Sequence, residues 1–215
     1  MERRKTVYIT RPLSSGHKLE RNLPLMVILK EVLKFARTSK DARYMIAHKS
    51  ILLNGERVKE KRRAVGFLDV LSFPDLQKSY RMLIDRRGNL IMHEVSGEEA
   101  GYRPSKILNK TIIPGGKIQV NLDDGRNLLA DKASGYATRD TLVISFEKRA
   151  VLKRLPFAKG MTAYITLGKH QGMIGILEDF AAGQAKVRTP DKTVTTPTNA
   201  VMIVGEKASS ITFQG

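Results

Sequence analysis

The chain has 215 residues, 41% of them hydrophobic but only 6% aromatic, with no Trp; that suits two or three small modules with Val, Ile and Leu cores, not one large aromatic-rich enzyme core. Its 38 Lys and Arg against 21 Asp and Glu give a net charge of +17, the balance of a protein that meets a polyanion. No cysteine is present, which excludes disulfides, thiolate catalysis and cysteine zinc sites, and no apolar run reaches the roughly 20 residues of a transmembrane helix.

No signal-peptide core follows Met1, so nucleic acid is favoured over a membrane and a cytoplasmic setting is expected. The charge is uneven. Residues 1–63 carry 17 Lys and Arg against 6 Asp and Glu, a balance of +11, leaving +6 for the rest. Residues 1–23 read as a basic N-terminal arm: Arg3, Arg4 and Lys5, then Arg11-Pro12, Ser14-Ser15-Gly16-His17-Lys18 and Arg21, with few apolar anchors. Such a segment is expected to order on a partner, a tail without a role being the alternative.

Residues 24–78 read as a helix–helix–hairpin unit. Pro24 opens a helix in which Leu25, Ile28, Leu29, Val32, Leu33 and Phe35-Ala36 recur at three-to-four spacing, with Lys30, Glu31 and Lys34 outward. A second helix over Ser39–His48 buries Ala42, Met45 and Ile46, and Thr38 with Asp41 forms a capping box at its start. Residues 51–53 and 57–58 form a hairpin around Asn54-Gly55, the two positive-φ positions of a type I′ turn. Lys59, Lys61, Arg62 and Arg63 lie in the loop beyond, residues 66–73 read as one closing strand, and Pro74-Asp75 ends the unit.

Residues 79–155 read as a central β-domain. Strands at 81–84 and 90–93 flank a Gly-containing loop at 85–89; 97–104 is a polar connection; further strands fall at 117–121 and 141–146, with a turn at Asp123-Asp124-Gly125. Residues 156–206 are organised by glycine. Apolar segments at 163–166, 176–178, 185–188 and 201–204, with Gly168, Gly172 and Gly175 at the bends, suggest a small five-stranded barrel. A tail occupies 207–215.

No catalytic constellation emerges. The 163–170 window fails the Walker pattern, with Ala163 in the first glycine position and His170 after Lys169. Asp123-Asp124 and Glu98-Glu99 read as solvated turn residues, not an acid–base pair, and no nucleophile elbow is present. His17, His48, His93 and His170 lack metal-ligand spacing; no metal, cofactor or small-molecule substrate is expected. For RNA, cations meet phosphates and an occasional Tyr or His stacks. The second helix offers Lys40, Arg43 and Tyr44, with Lys49 extending from its end; Arg57 to Arg63 present a second cluster; the glycine-rich loop offers Lys169 and His170. Charge for solubility is the alternative, and clustering favours binding.

Residues 38–58 resemble the alpha-L RNA-binding domain, also found in pseudouridine synthases and tyrosyl-tRNA synthetases. Thr38 takes its Ser position, and Ala42, Arg43, Ile46, Ile51, Leu53, Asn54, Gly55 and Val58 match, while Ser39 stands for the usual Arg and Lys49 for the usual Gly. Over nearly the whole chain, Arg11-Pro12, Gly16-His17-Lys18, Leu23-Pro24-Leu25, Gly66-Phe67-Leu68-Asp69-Val70, Arg139-Asp140-Thr141 and the KOW-like run 168–176 are similar to the S4e family of small-subunit ribosomal proteins. The short Glu2-Arg3-Arg4-Lys5 start and the end at Gly215 without a lysine-rich tail point to an archaeal-type member.

The resemblance implies an α+β, multi-domain chain: an N-terminal α/β alpha-L domain, a central β-domain and a C-terminal SH3-like KOW barrel. It implies a non-enzymatic constituent of the small subunit whose partners are rRNA and neighbouring ribosomal proteins. The rivals are an RNA-modifying enzyme with an appended alpha-L domain, for which Asp69 would mimic the catalytic Asp, and a KOW-containing transcription or translation factor.

Overall fold

The computed structural model describes residues 9–130 and 135–206; Arg3, Arg4, Lys5 and the tail 207–215 lie outside them. Strands dominate, and the chain divides into two compact units. The first holds the described residues up to Leu83 with Asn89–Arg103, and the second Ile84–Gly88 with the described residues from Pro104 onward.

In the first unit the end of the arm is built into the fold. Strand β1 (Asn22–Pro24) pairs antiparallel with β4 (Ala64–Gly66), so that Pro24, expected inside a helix, sits opposite Ala64 and forms the N-cap. Helix α1 (Leu25–Val27) widens at once into a π-turn over Ile28–Val32, closed by a bond from Leu33 N–H to Ile28 O. Lys34, at φ +56°, ends it, so Phe35 and Ala36 leave the helical pattern. The Phe35 ring then packs edge-on against Phe73 and Tyr80, at centroid separations of 5.2 and 6.0 Å.

Helix α2 covers Ser39–His48 with its capping box intact: Asp41 N–H donates to Thr38 Oγ1 at 3.2 Å, and Thr38 N–H to Asp41 Oδ2 at 2.9 Å. Ala42 and Ile46 are buried, and Met45 packs half-buried at the core margin. Strands β2 (Leu52–Leu53) and β3 (Glu56–Arg57) meet around Asn54 (φ +52°) and Gly55 (φ +82°). The expected strand over 66–73 is broken. β4 ends at Gly66, Leu68 takes φ +66°, and β5 runs Val70–Phe73. The Asp69 carboxylate accepts the Gly66 amide at 2.6 Å, a local side-chain bond that replaces strand continuation.

Strands β6 (Lys78–Ile84) and β7 (Leu90–Val95) complete one sheet in the order β3-β2-β5-β6-β7. The boundary expected at 78/79 therefore falls inside a sheet: Leu71 pairs with Tyr80 and Val70 with Arg81. Helix and sheet share one core, with Leu25, Ile28, Leu29, Ala42, Ile46, Ile51, Leu71 and Met82 buried within it.

The second unit contains two five-stranded sheets. One has the order β10-β9-β8-β11-β12, from β8 (Tyr102–Ile112), β9 (Ile118–Leu122), β10 (Asn127–Ala130), β11 (Thr141–Ser145) and β12 (Val151–Leu155). The polar connection expected over 97–104 is in fact a 3-10 turn, Glu99–Gly101, followed directly by the long β8. The other sheet joins β13 (Thr162–Ile165), β14 (Ile174–Ala181), β15 (Gln184–Arg188), β16 (Thr193–Pro197) and β17 (Val201–Gly205) in the order β16-β15-β14-β13-β17. Its neighbours pair antiparallel throughout. The buried Lys106 ammonium of β8 donates to the carbonyls of Thr198 at 3.3 Å, Asn199 at 3.0 Å and Val201.

Candidate nucleic-acid interface

At 100° per residue, burial of Ala42 and Ile46 turns the opposite side of α2 to solvent. Tyr44 lies at the centre of that side and is 60% exposed, flanked by Lys40 and Arg43, while Lys49 follows as the C-cap residue; all three cations are exposed. Asp41, on the first turn of the same helix, is engaged at the N-cap, and its hydrogen bonds with Thr38 hold it below the usual carboxylate range. Lys49 Nζ lies 3.8 Å from Asp75 Oδ2, an open ion pair that contributes little in water.

The loop after the hairpin is tied to the start of α1. Leu25 N–H donates to Arg63 O at 2.9 Å and Met26 N–H to Lys61 O at 3.1 Å, so the loop satisfies first-turn amides that a helix leaves open. The arm runs beside it: Leu13 N–H bonds to Arg62 O at 2.9 Å, and Arg62 Nε donates to Arg11 O at 3.1 Å. Arg11, Lys18, Arg57, Lys59, Arg62 and Arg63 are exposed on this frame, while Lys61 and Arg21 are half-buried. The sequence placed these residues in a loose arm and a free loop; in the fold they are joined by backbone bonds.

His17 is turned inward. Its Nε2 lies 3.2 Å from Asp69 Oδ2, and the imidazole is only 10% exposed. Asp69 is the hub of a buried network, accepting from Arg103, from Asn54 Nδ2 at 2.8 Å and from Gly66 N–H at 2.6 Å. Asn54 also accepts Val70 N–H at 2.9 Å, tying the hairpin turn to β5. A Cβ on Gly66 would strike the His17 ring, so glycine there lets the imidazole reach the carboxylate. Burial alone would raise the Asp69 carboxyl; the Arg103 charge and the His17 and Asn54 hydrogen bonds outweigh it and hold the group far below its ordinary value. At 3% exposure, with its oxygens engaged by Arg103, Asn54, Gly66 and His17, Asp69 ties the framework of this unit together.

Glu99, expected as a solvated turn residue, is 6% exposed and faces the fully buried Arg81, with Nε 3.4 Å from Oε1. Arg81 Nη2 also donates to Glu99 O at 2.7 Å and Tyr102 O at 3.0 Å, and burial lowers its guanidinium to about 10. Asp124, also expected in solvent, is buried and accepts Arg126 N–H at 2.9 Å.

Within the second unit two loops pack against each other. Gly172 (φ +79°) lies so close to loop 85–88 that a Cβ would come within 2.5 Å of the Asp85 carbonyl and 2.8 Å of Arg86 N. Tyr164 Oη donates to Ile84 O at 2.6 Å and accepts Ile84 N–H at 3.2 Å, fixing the root of that loop. Lys169 is exposed and His170 half-buried. Among the described residues, no group of three or more acidic or His side chains is placed to hold a metal, and no helix is long and apolar enough to cross a membrane.

The description "Ribosomal family S4e" matches residues 76–151. The chain is 35% identical over 215 residues to the small ribosomal subunit protein eS4 of Methanothermobacter thermautotrophicus, covering 97% of this chain and 88% of that one. The chain belongs to the S4e family. A further eS4 relative, from Archaeoglobus fulgidus, is 34% identical over 96% of the chain and 88% of its own length. The crystal structure of 30S ribosomal protein S4e from Thermoplasma acidophilum superposes with a TM-score of 0.76 at 27% identity, covering 89% of this chain and 99% of that one.

In this S4e chain the 76–151 match begins after α2 and the hairpin, so the family signature and the densest cation cluster occupy different stretches. Sequence reasoning missed two features of the S4e surface. Arg86 and Arg87 are exposed on the loop that Gly172 packs against, a loop that meets the one carrying Lys169. His48 stacks on Tyr44, a pairing that the i,i+4 spacing could have disclosed.

Proposed function

We propose that the chain is a structural, rRNA-binding constituent of the small ribosomal subunit, acting in cytoplasmic translation beside neighbouring ribosomal proteins and carrying out no catalysis. The observation that carries this reading is near-full-length similarity to proteins named small ribosomal subunit protein eS4. Residues 24–78 are read as an alpha-L domain, 79–155 as the central β-domain, whose first strands β6 and β7 continue the alpha-L sheet, and 156–206 as a KOW-type SH3-like barrel.

Lys40, Arg43 and Tyr44 on α2, with Lys49 at its C-cap, form one contact set, and Arg11, Lys18, Arg21, Arg57, Lys59, Lys61, Arg62 and Arg63 a second. Arg3, Arg4 and Lys5, outside the described residues, are kept as RNA contacts on sequence alone. Lys169 and His170 form a third set with Arg86 and Arg87. His17 holds the frame and is left out. Phosphate contacts of this kind fix position and read RNA shape, not base sequence. The exposed cations against a buried, fully bonded Asp69 support binding over RNA modification. Ultraviolet cross-linking of the protein in intact subunits, mapped to nucleotide and peptide, tests the assignment. Cross-links to rRNA through residues 40–63 are expected; cross-links confined to other segments would remove these residues from the interface.

A further inference from the structure

We propose that Tyr44 and His48 form a stacking platform for one unpaired nucleobase, an inference that rests on the RNA-binding role above and specifies what this helix face takes. The two rings are stacked, with centroids 4.2 Å apart and planes inclined by 21°. Both are exposed, on the side of α2 opposite Ala42 and Ile46. The other aromatic cluster of this unit, Phe35, Phe73 and Tyr80, is built into the core; Tyr44 instead presents a large ring to solvent.

The platform is fixed in place. His48 Nδ1 lies 3.0 Å from Tyr44 O, and since a carbonyl only accepts, that nitrogen carries the proton and the imidazole is held against the phenol. Lys40, one turn earlier on the same stripe, and Arg43 beside it place positive charge at the rim. A nucleotide needs these two elements together: cations for the phosphate, and a π-face for the base. A continuous duplex stacks both faces of its bases internally, so the ligand is a single-stranded, looped or bulged nucleotide. Purines, with the larger stacking face, bind best.

The chain has no Trp, so Tyr44→Trp installs a single reporter at the platform. With the full chain, an oligoadenylate of about ten nucleotides is expected to quench its emission, and abasic RNA of equal length is expected to bind through phosphates without quenching. Tyr44→Leu keeps an apolar stem on the helix but removes the ring; it is expected to weaken oligoadenylate binding about tenfold, leaving abasic binding and the salt dependence unchanged. Tyr44→Phe retains the affinity. If wild-type protein binds both RNAs but Tyr44→Leu binds oligoadenylate equally well, the platform is refuted while the RNA-binding role stands. If wild-type protein binds neither RNA, the RNA-binding role falls and the platform with it.

Discussion

Replacing Asp69 by Ala tests the framework beneath the basic surface. The carboxylate is 3% exposed and Arg103 is 2% exposed, so the substitution leaves a guanidinium buried without its counterion. Breaking such a pair from one side costs about 3–5 kcal/mol. With a urea m-value of about 2 kcal/mol per M, the unfolding midpoint of the first unit should fall by about 2 M. Hydrogen exchange followed alongside should locate the loss: the Gly66 amide, which donates to Asp69, and the Val70 amide, which donates to Asn54, should lose protection, with amides of β13 to β17 unaffected. Asp69→Ala combined with Arg103→Met should recover about 1–3 kcal/mol relative to the single variant, because it removes the stranded charge. A cost below about 1 kcal/mol for the single variant, or a double variant no better than the single, would refute the reasoning.

Three further outcomes follow from the same structure. Because the native Asp69 carboxyl is held below the ordinary Asp value of 3.8, its stabilising contribution is complete above that value and is lost as pH falls through it toward the depressed native one; the urea midpoint of the first unit should drop at acid pH, and Asp69→Asn should flatten that limb. Gly172→Ala forces a side chain onto a positive φ and against the Asp85 backbone, and should destabilise the second unit by about 2–4 kcal/mol in thermal unfolding. Arg43→Ala should weaken rRNA binding and flatten the log–log salt slope by about 0.7–0.9; an unchanged slope would remove Arg43 from the interface.

Local signals were legible in the sequence. Thr38 and Asp41 marked the start of α2, and Asn54-Gly55 marked the hairpin turn, because each acts within three or four residues. The exposed cations of α2 were legible for the same reason: the spacing of Ala42 and Ile46 decides which way Lys40, Arg43 and Tyr44 face. The buried charges were not legible. Arg103 and Asp69 are 34 positions apart and Arg81 and Glu99 are 18 apart, so nothing local distinguishes them from solvated residues. β8 escaped notice because Arg103, Pro104, Ser105 and Lys106 are buried in succession, without the alternation a half-exposed strand shows. The run 66–73 hid its break because Phe67 and Leu68 are buried at the turn as they would be in a strand. His17 looked like a free cation in a loose arm until Gly66 and Asp69 were brought beneath it.

The most direct test of the central claim is sedimentation of the tagged chain with ribosomal particles from its own cells on sucrose gradients after a high-salt wash. A constituent of the small subunit should remain with that particle in near-stoichiometric amount. Release of most of the protein into the soluble fractions would contradict a structural role and indicate a factor that cycles on and off its complex.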